Sequence, residues 1–470
     1  MEFSRLGFGC YRVHYKVDEH INSLKKALLS GINVIDTSSN YSDGGSEIMV
    51  GNVLDDLITE NKINREDINL ISKVGYIQGH NYTFVENQKK SGSGFKEVVE
   101  YGDKLWHCIN PDFIEDQLNK QLARLNQKYL DGYLLHNPEY FLANAEQTGM
   151  DLEESRKEYY KRIKNAFEFL DKKVSEGVIK SYGISSNTFG SNDKEFGFTS
   201  LFEISKFSNE NFKIIQFPLN IVEINPIINK NNNGKTVLEF ANEMRLKVLI
   251  NRPLNSITSK GLVRLAEFNF VNYSERDFYK QLEKLKLMED DMISEKLATY
   301  SIDETELKKL KKIFSFGKIL EENWKYFGSI EHFNDNVEHH FIPKIDFLIE
   351  YFELHFQNED TLNFLKKFLN ELYLMLNLIS NHYKMKASKR TNFFNQKLND
   401  LTGGTIKELT LSQKALLLIS SLEGISTILV GARREKYIDD ILKINDLKKL
   451  GNSYEVLLNL HNELIQAENI

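Results

Sequence analysis

The chain has 470 residues, 41% of them hydrophobic and 27% charged, with a formal net charge of −7. That is enough apolar material for a large core and more than one structural unit, and the acidic balance excludes a general electrostatic preference for nucleic acid. No apolar run is long enough to span a bilayer, so no membrane partner is expected. Two cysteines, Cys10 and Cys108, fit a reducing compartment better than a disulfide framework. Residues 1–5 lack the basic and apolar regions of a secretory signal, and a cytoplasmic location is expected.

Up to residue 265, short apolar runs alternate with amphipathic stretches. The spacing predicts a strand over 5–9, then a helix over 18–30 with Ile21, Leu24, Leu28 and Leu29 on one face. A second strand, 32–36, precedes a helix over about 45–60, and a third covers 68–73. Asn110-Pro111 opens a helix as N-cap and first residue, leading to a strand over 131–136. A helix over 157–176 ends at Gly177, a C-cap residue. Further strands follow at 180–184, 213–216 and 247–250. An eighth, 426–430, comes much later, before a helix over about 434–443.

Eight strands alternating with helices predict an α/β chain folded as a (β/α)8 TIM barrel. The alternative is an open doubly wound sheet, which would often carry a Gly-rich loop after its first strand. Gly7-Phe8-Gly9 is followed by Arg12, where that loop needs its third glycine, so the barrel is preferred. Its active site is then expected at the C-terminal strand ends.

Residues 266–404 break the rhythm. Helical patterns cover 304–313, 342–356 and 362–383, and strand signals are nearly absent. We read an inserted all-α domain between strands 7 and 8, leaving 1–265 and 405–470 as the barrel. Smaller insertions cover 75–109, including Ser91-Gly92-Ser93-Gly94, and 139–156. All three leave C-terminal strand ends and are expected over the barrel mouth. The large one is expected to act as a helical lid, or as a surface for self-association or a protein partner.

Asp36, Lys73 and His136 each close an apolar strand, and Tyr41 lies in the loop after Asp36. A phenol is a useful general acid when its proton is loosened, and a neighbouring ammonium favours the phenolate. Lys73 is the candidate ammonium, Asp36 would hold it charged, and His136 could orient a carbonyl oxygen. Taken singly the bland readings win: a strand-end Asp caps a helix, a strand-end Lys is solvated, and a barrel His is a structural group. The ordered set reverses this. Trp106 and Tyr101 would either line a substrate pocket or pack their own loop. His107 and Cys108 make a poor metal case. Glu331-His332, Glu338-His339-His340 and His355 read as a polar helix face, so no metal is expected. Cys10 reads as a small lining residue.

Asp36-Thr37-Ser38-Ser39-Asn40-Tyr41 with Gly45-Ser46-Glu47, the position of Lys73, and Leu134-Leu135-His136-Asn137-Pro138 resemble the aldo-keto reductase family. The resemblance covers about 1–265 and 405–445. It implies an NAD(P)H-dependent oxidoreductase that moves a hydride between nicotinamide C4 and an aldehyde, ketone or sugar carbonyl, with Tyr41 as general acid/base. It implies carboxamide contacts at Ser185 and Ser186, with Asn187 a near alternative, and at Gln216. Asn251-Arg252-Pro253-Leu254-Asn255 stands where the family has Tyr-Ser-Pro-Leu-Gly, so Asn251 replaces the aromatic that stacks on the nicotinamide. Arg252 could meet the pyrophosphate. Gly431-Ala432-Arg433-Arg434 opens a helix and would hold phosphate, its two arginines favouring NADP over NAD. Two other readings compete: a non-catalytic, regulatory cofactor binder working through the insertion, and a lyase with Lys73 as a Schiff base. Asp36 beside Lys73 opposes the second.

Overall fold

Segments such as Leu70-Ile71-Ser72 and Leu134-Leu135 are buried along their whole length, as strands of a parallel sheet covered by helices must be. In a computed structural model, which describes residues 2–258, 261–356 and 358–466, they build a closed eight-stranded barrel. The strands in chain order are β1 Leu6–Gly9, β2 Val34–Asp36, β3 Asn69–Val74, β4 Tyr76–Ile77, β5 Val99–Gly102, β6 Leu105–His107, β7 Gly132–His136, β8 Tyr182–Ser185, β9 Phe212–Pro218, β10 Lys247–Asn251, β11 Asn255–Thr258, β12 Gly261–Arg264 and β13 Ile425–Val430. Around the barrel the order is β1-β13-β10-β9-β8-β7-β3-β2, all pairs parallel. The open doubly wound alternative is thereby overturned.

Val34, Ile71, Leu134, Ile214, Leu249 and Leu429 meet inside the barrel as one buried cluster, the side-chain plug expected of a barrel this size. Room for it depends on Gly183: a Cβ there would stand 1.8 Å from the Ile214 carbonyl oxygen. Register then fixes the strand ends. Gly9 pairs with Asp36, Lys73 with Leu134, His136 with Ser185, and Ser185 with Gln216.

Two segments differ from the sequence reading. Residues 75–109 hold the antiparallel sheet β4-β6-β5 and the helix Gly79–Lys90; their strands are too short to show a period of two. Within 139–156 lie the helix Tyr140–Gln147 and the start of Leu152–Ser175. The Asp151 side chain accepts from the N–H groups of Glu153 and Glu154, a capping signal that the expected start at 157 overlooks.

The chain divides into two compact units, Met1–Ser256 with Leu398–Ile470, and Ile257–Lys397. The second is helical, with Glu275–Asp291, Glu304–Ile313, Phe316–Asn323, Ile330–Asn336 and Ile342–His355 followed by the long helix Glu359–Leu401. It has a hydrophobic core of its own, including Phe278, Leu285, Phe316, Leu348, Phe352 and Phe368. Among the described residues no helix is long and apolar enough to cross a membrane.

Candidate active site

Register brings Asp36, Lys73 and His136 to one end of the barrel, and the next turn brings Tyr41. That turn is tight: Ser42, Asp43 and Gly44 all have positive φ, at 48°, 52° and 85°. Such a run persists only when its surroundings hold it. The Ser42 hydroxyl donates to the Val13 carbonyl at 2.7 Å, and the Asp43 carboxylate accepts from the His80 N–H at 3.0 Å.

Lys73 is fully buried. Its ammonium has three N–H donors and three acceptors: Asp36 Oδ2 at 2.6 Å, the Thr37 carbonyl at 3.1 Å and Tyr41 Oη at 3.1 Å. Tyr41 therefore receives a hydrogen bond from Lys73 and keeps its own O–H to give elsewhere. On the far side of Asp36, Oδ1 accepts from Gln216 Nε2 at 2.8 Å. Gln216 Oε1 accepts from Ser185 Oγ at 3.0 Å and Asn251 Nδ2 at 3.2 Å. Asn251, Ser185, Gln216, Asp36, Lys73 and Tyr41 thus form one continuous hydrogen-bonded chain.

The electrostatics differ from the sequence expectation in sign. Burial, followed by the Asp36 charge, pushes the Tyr41 phenol well above its ordinary value. Burial also draws the Lys73 ammonium below its ordinary value, against the resistance of Asp36. The reason is that burial penalises the phenolate, and the Asp36 charge nearby repels it further. Tyr41 is thus held as a proton carrier rather than a phenolate.

His136 is buried, and its Nδ1 lies 3.1 Å from Ser38 Oγ. Burial first, then Lys73 and His107, drives its pKa well below the ordinary value and keeps the ring neutral. Residues 75–109 hold it from behind. Buried His107, its pKa lowered by burial to about 4, donates through Nε2 to the His136 carbonyl at 2.7 Å. The Tyr76 ring stands edge-on to the His136 ring at 4.7 Å, and Tyr76 Oη accepts from Asn137 Nδ2 at 2.7 Å. Tyr140 packs against both Tyr76 and His107, and Tyr101 against Tyr140. Sequence reasoning missed Tyr76, Tyr140 and the role of His107; the position of Tyr76 just beyond Lys73 was the available signal. Tyr101 joins this aromatic wall, whereas Trp106 packs on Tyr82 at 4.8 Å. Cys10 is buried beside the site, donating its N–H to the Asp36 carbonyl.

The expected cofactor contacts separate into groups. Ser185, Gln216 and Asn251 join the chain above. Ser186 faces the other way, to Thr188 and Thr199 at 3.2 Å, as alternation along a strand requires. The Asn187 side chain is exposed, and its backbone N–H donates to Glu139 Oε1 at 2.8 Å. Arg252 has φ of 50° and pairs with Glu223 Oε1 at 3.0 Å. Leu254 is half-buried in the turn after β10. Phe8 pairs with both Val430 and Ile35, so Gly431, Arg433 and Arg434 leave the barrel at the same end as Asp36. Arg434 pairs with Glu19 at 3.2 Å across exposed side chains, and Arg433, after burial, lowers the pKa of His20. The residues present fit a polar ligand here: Asn251 Oδ1, Arg252 Nε, Asn255 Oδ1 and Ser256 Oγ are buried without hydrogen-bond partners, and such atoms ask for one.

Comparison with known proteins accords with this geometry. The profile of the Aldo/keto reductase family matches residues 5–249. The uncharacterized oxidoreductase YqkF of Bacillus subtilis is 27% identical over 187 residues, 40% of this chain and 46% of that protein. The NADH-specific methylglyoxal reductase of Escherichia coli is 29% identical over 155 residues, 30% and 42% of the two chains. Aldose reductase B of Dictyostelium discoideum is 25% identical over 234 residues, 48% and 59%. The chain thus spans about half the length of the relatives it matches. A holo-form aldo-keto reductase from Bacillus halodurans aligns over 98% of this chain and 93% of its own at 15% identity, with a TM-score of 0.48. With more than half of its length matched by the profile, over a closed parallel barrel, the chain belongs to the aldo/keto reductase family.

Proposed function

We propose that this protein is an NAD(P)-dependent oxidoreductase that interconverts a carbonyl compound and its alcohol, with Tyr41 as general acid and base. The observation that carries this is the saturation of Lys73. All three of its N–H groups are taken, one of them by Tyr41 Oη, so the phenol is oriented with its O–H outward. Burial keeps that proton in place until a carbonyl oxygen developing negative charge accepts it. A bound nicotinamide would supply the hydride. Ser185, Gln216 and Asn251 are the residues to hold its carboxamide, and Arg252, Arg433 and Arg434 its phosphates, two arginines together favouring NADP. The NADH-specific methylglyoxal reductase among the relatives supports a cofactor of this class. A Schiff base on Lys73 needs a free amine nitrogen, which its three hydrogen bonds withhold.

The test is titration with NADPH and NADH followed by nicotinamide and tryptophan fluorescence, then turnover on a panel of aldehydes, ketones and sugars. Tyr41→Phe is expected to lower kcat by at least about a hundredfold while leaving the cofactor Kd unchanged. No binding of either cofactor would sink the proposal. Binding without turnover across the panel would favour a regulatory cofactor-binding protein, the reading to which Asn251 points by standing where the family resemblance implies a stacking aromatic.

A further inference from the structure

The starting ends of three barrel strands, opposite the candidate active site, gather positive charge that the described chain does not neutralise. β1 opens at Leu6, β10 at Lys247 and β13 at Ile425, and the three are neighbours around the barrel. At these ends lies a cleft of about 500 Å³, a size that suits a small organic ligand. Arg5, Arg245, Lys247 and Lys449 line it, and exposed Glu2 is the one carboxylate among its described lining residues. A chain of net charge −7 thus brings four cations from three separate segments onto one concave surface. None of the four is in an ion pair with a described residue. Arg245, Lys247 and Lys449 are exposed, with the Lys247 ammonium 5.5 Å from the centre of the Phe3 ring. Arg5 is partly buried, yet its guanidinium donates only to neutral oxygens: Ser420 Oγ at 2.8 Å and the carbonyls of Ile444 and Leu447 at 2.6 and 3.0 Å. Its sealed Nη2 has no partner at all. A cation drawn out of water ordinarily has a counter-charge. Ser426 adds an unused donor: its Oγ accepts from the Val248 N–H at 3.0 Å, and its own hydrogen goes to no described acceptor.

Lysines scattered over a surface are solvated singly, but these cations converge, and like charges held together repel. An anion of more than one charge relieves several of them at once, where a lone carboxylate meets a single fork. We propose that this cleft binds a phosphate group, free or as the monoester of a small polar molecule, and that the bound group ties β13 to its neighbours β1 and β10. Arg245, Lys247 and Lys449 meet the phosphate oxygens from the open side, Ser426 donates to one of them, and Arg5 adds its charge from beneath. The ligand finds these groups together only when the barrel is closed, so by mass action it stabilises the closed form. The site stands independently of the carbonyl–alcohol reaction proposed above and lies at the other end of the strands.

The test is calorimetric titration of the full chain with inorganic phosphate, ribose 5-phosphate and ribose at low ionic strength. Both phosphates are expected to bind, with Kd below about 1 mM, and ribose is expected not to. Tighter binding of the ester identifies a phosphomonoester as the occupant, and tighter binding of inorganic phosphate identifies the free ion; either supports the site. Arg245→Gln and Lys449→Gln are each expected to raise Kd at least about fivefold. Lys448→Gln removes the same charge from an exposed neighbour outside the cleft and is expected to change Kd less than about twofold. All three side chains are exposed, so the variants are expected to fold. Saturating ribose 5-phosphate should also raise Tm and slow amide exchange over 246–248 and 425–427. No binding of either phosphate would overturn the proposal. So would an equal loss in Lys448→Gln, the mark of diffuse attraction, or protection confined to the strand ends that carry Asp36 and Lys73.

Discussion

Lys73 and Glu139 represent opposite ways of burying a charge. Lys73 is sealed but has a partner for every hydrogen. Lys73→Met would leave Asp36 buried with only Gln216 on it, and stranding such a charge costs about 3–5 kcal/mol. Denaturant unfolding is expected to report that loss alongside a kcat decrease. Glu139 has one oxygen on the Asn187 N–H, while Oε2 has no partner. Burial pushes its carboxyl from 4.5 to about 7, and its charge adds to burial in raising the phenols of Tyr76 and Tyr159. Since the folded state binds this proton more tightly than the unfolded chain, the associated stability is complete below about pH 4.5 and is lost as pH rises through about 7. Unfolding free energies at several pH values should fall over that window, by up to about 3 kcal/mol from this group, and Glu139→Gln should remove this component of the slope. The residues that were legible in the sequence, Asp36, Lys73 and His136, each end an apolar run and so announce a strand terminus. Glu139 was not, because its meaning comes from what the fold packs against it.

At the scale of elements, the sheet β4-β6-β5 behaves as part of the site rather than as a decoration on it. Its contacts pass through Gly75, where φ is 153° and a Cβ would lie 2.4 Å from His107 Nε2 and 2.7 Å from the His136 carbonyl. Gly75→Ala must therefore displace one of them. The expected result is a kcat reduced about tenfold or more, from a shift of order 1.4 kcal/mol in the barrier, with cofactor affinity retained; unchanged kcat would show that the sheet does not bear on His136. The barrel strands were read correctly because each belongs to an apolar run set between helix signals, even where the strand itself spans only three or four residues. This sheet was missed because strands of two to four residues carry no periodicity, and because its partner strands are recognised only after the barrel has put β7 beside it. The cofactor residues divide on similar grounds. Ser185 and Gln216 are paired by register, whereas the opposite facing of Ser186 follows from strand alternation that a motif alone does not express.

At the scale of the molecule, the helical unit Ile257–Lys397 has its own apolar core, which explains why its helices were visible as long periodic segments while its purpose was not. Replacing 268–402 with a short linker is expected to change substrate choice or oligomeric state and to leave cofactor binding intact; unchanged kinetics and unchanged mass would remove any functional role for it. Chain order adds a consequence for biosynthesis. The barrel closes only when β13 pairs with both β1 and β10. On the ribosome, β10 is complete at Asn251 and β13 begins at Ile425. At roughly 5–20 residues per second, the seven earlier strands wait on the order of ten to thirty seconds with two unpaired edges. Those edges are templates for pairing with another chain, so the nascent protein passes through a window in which helical-unit synthesis, and any chaperone present, decides between closure and aggregation.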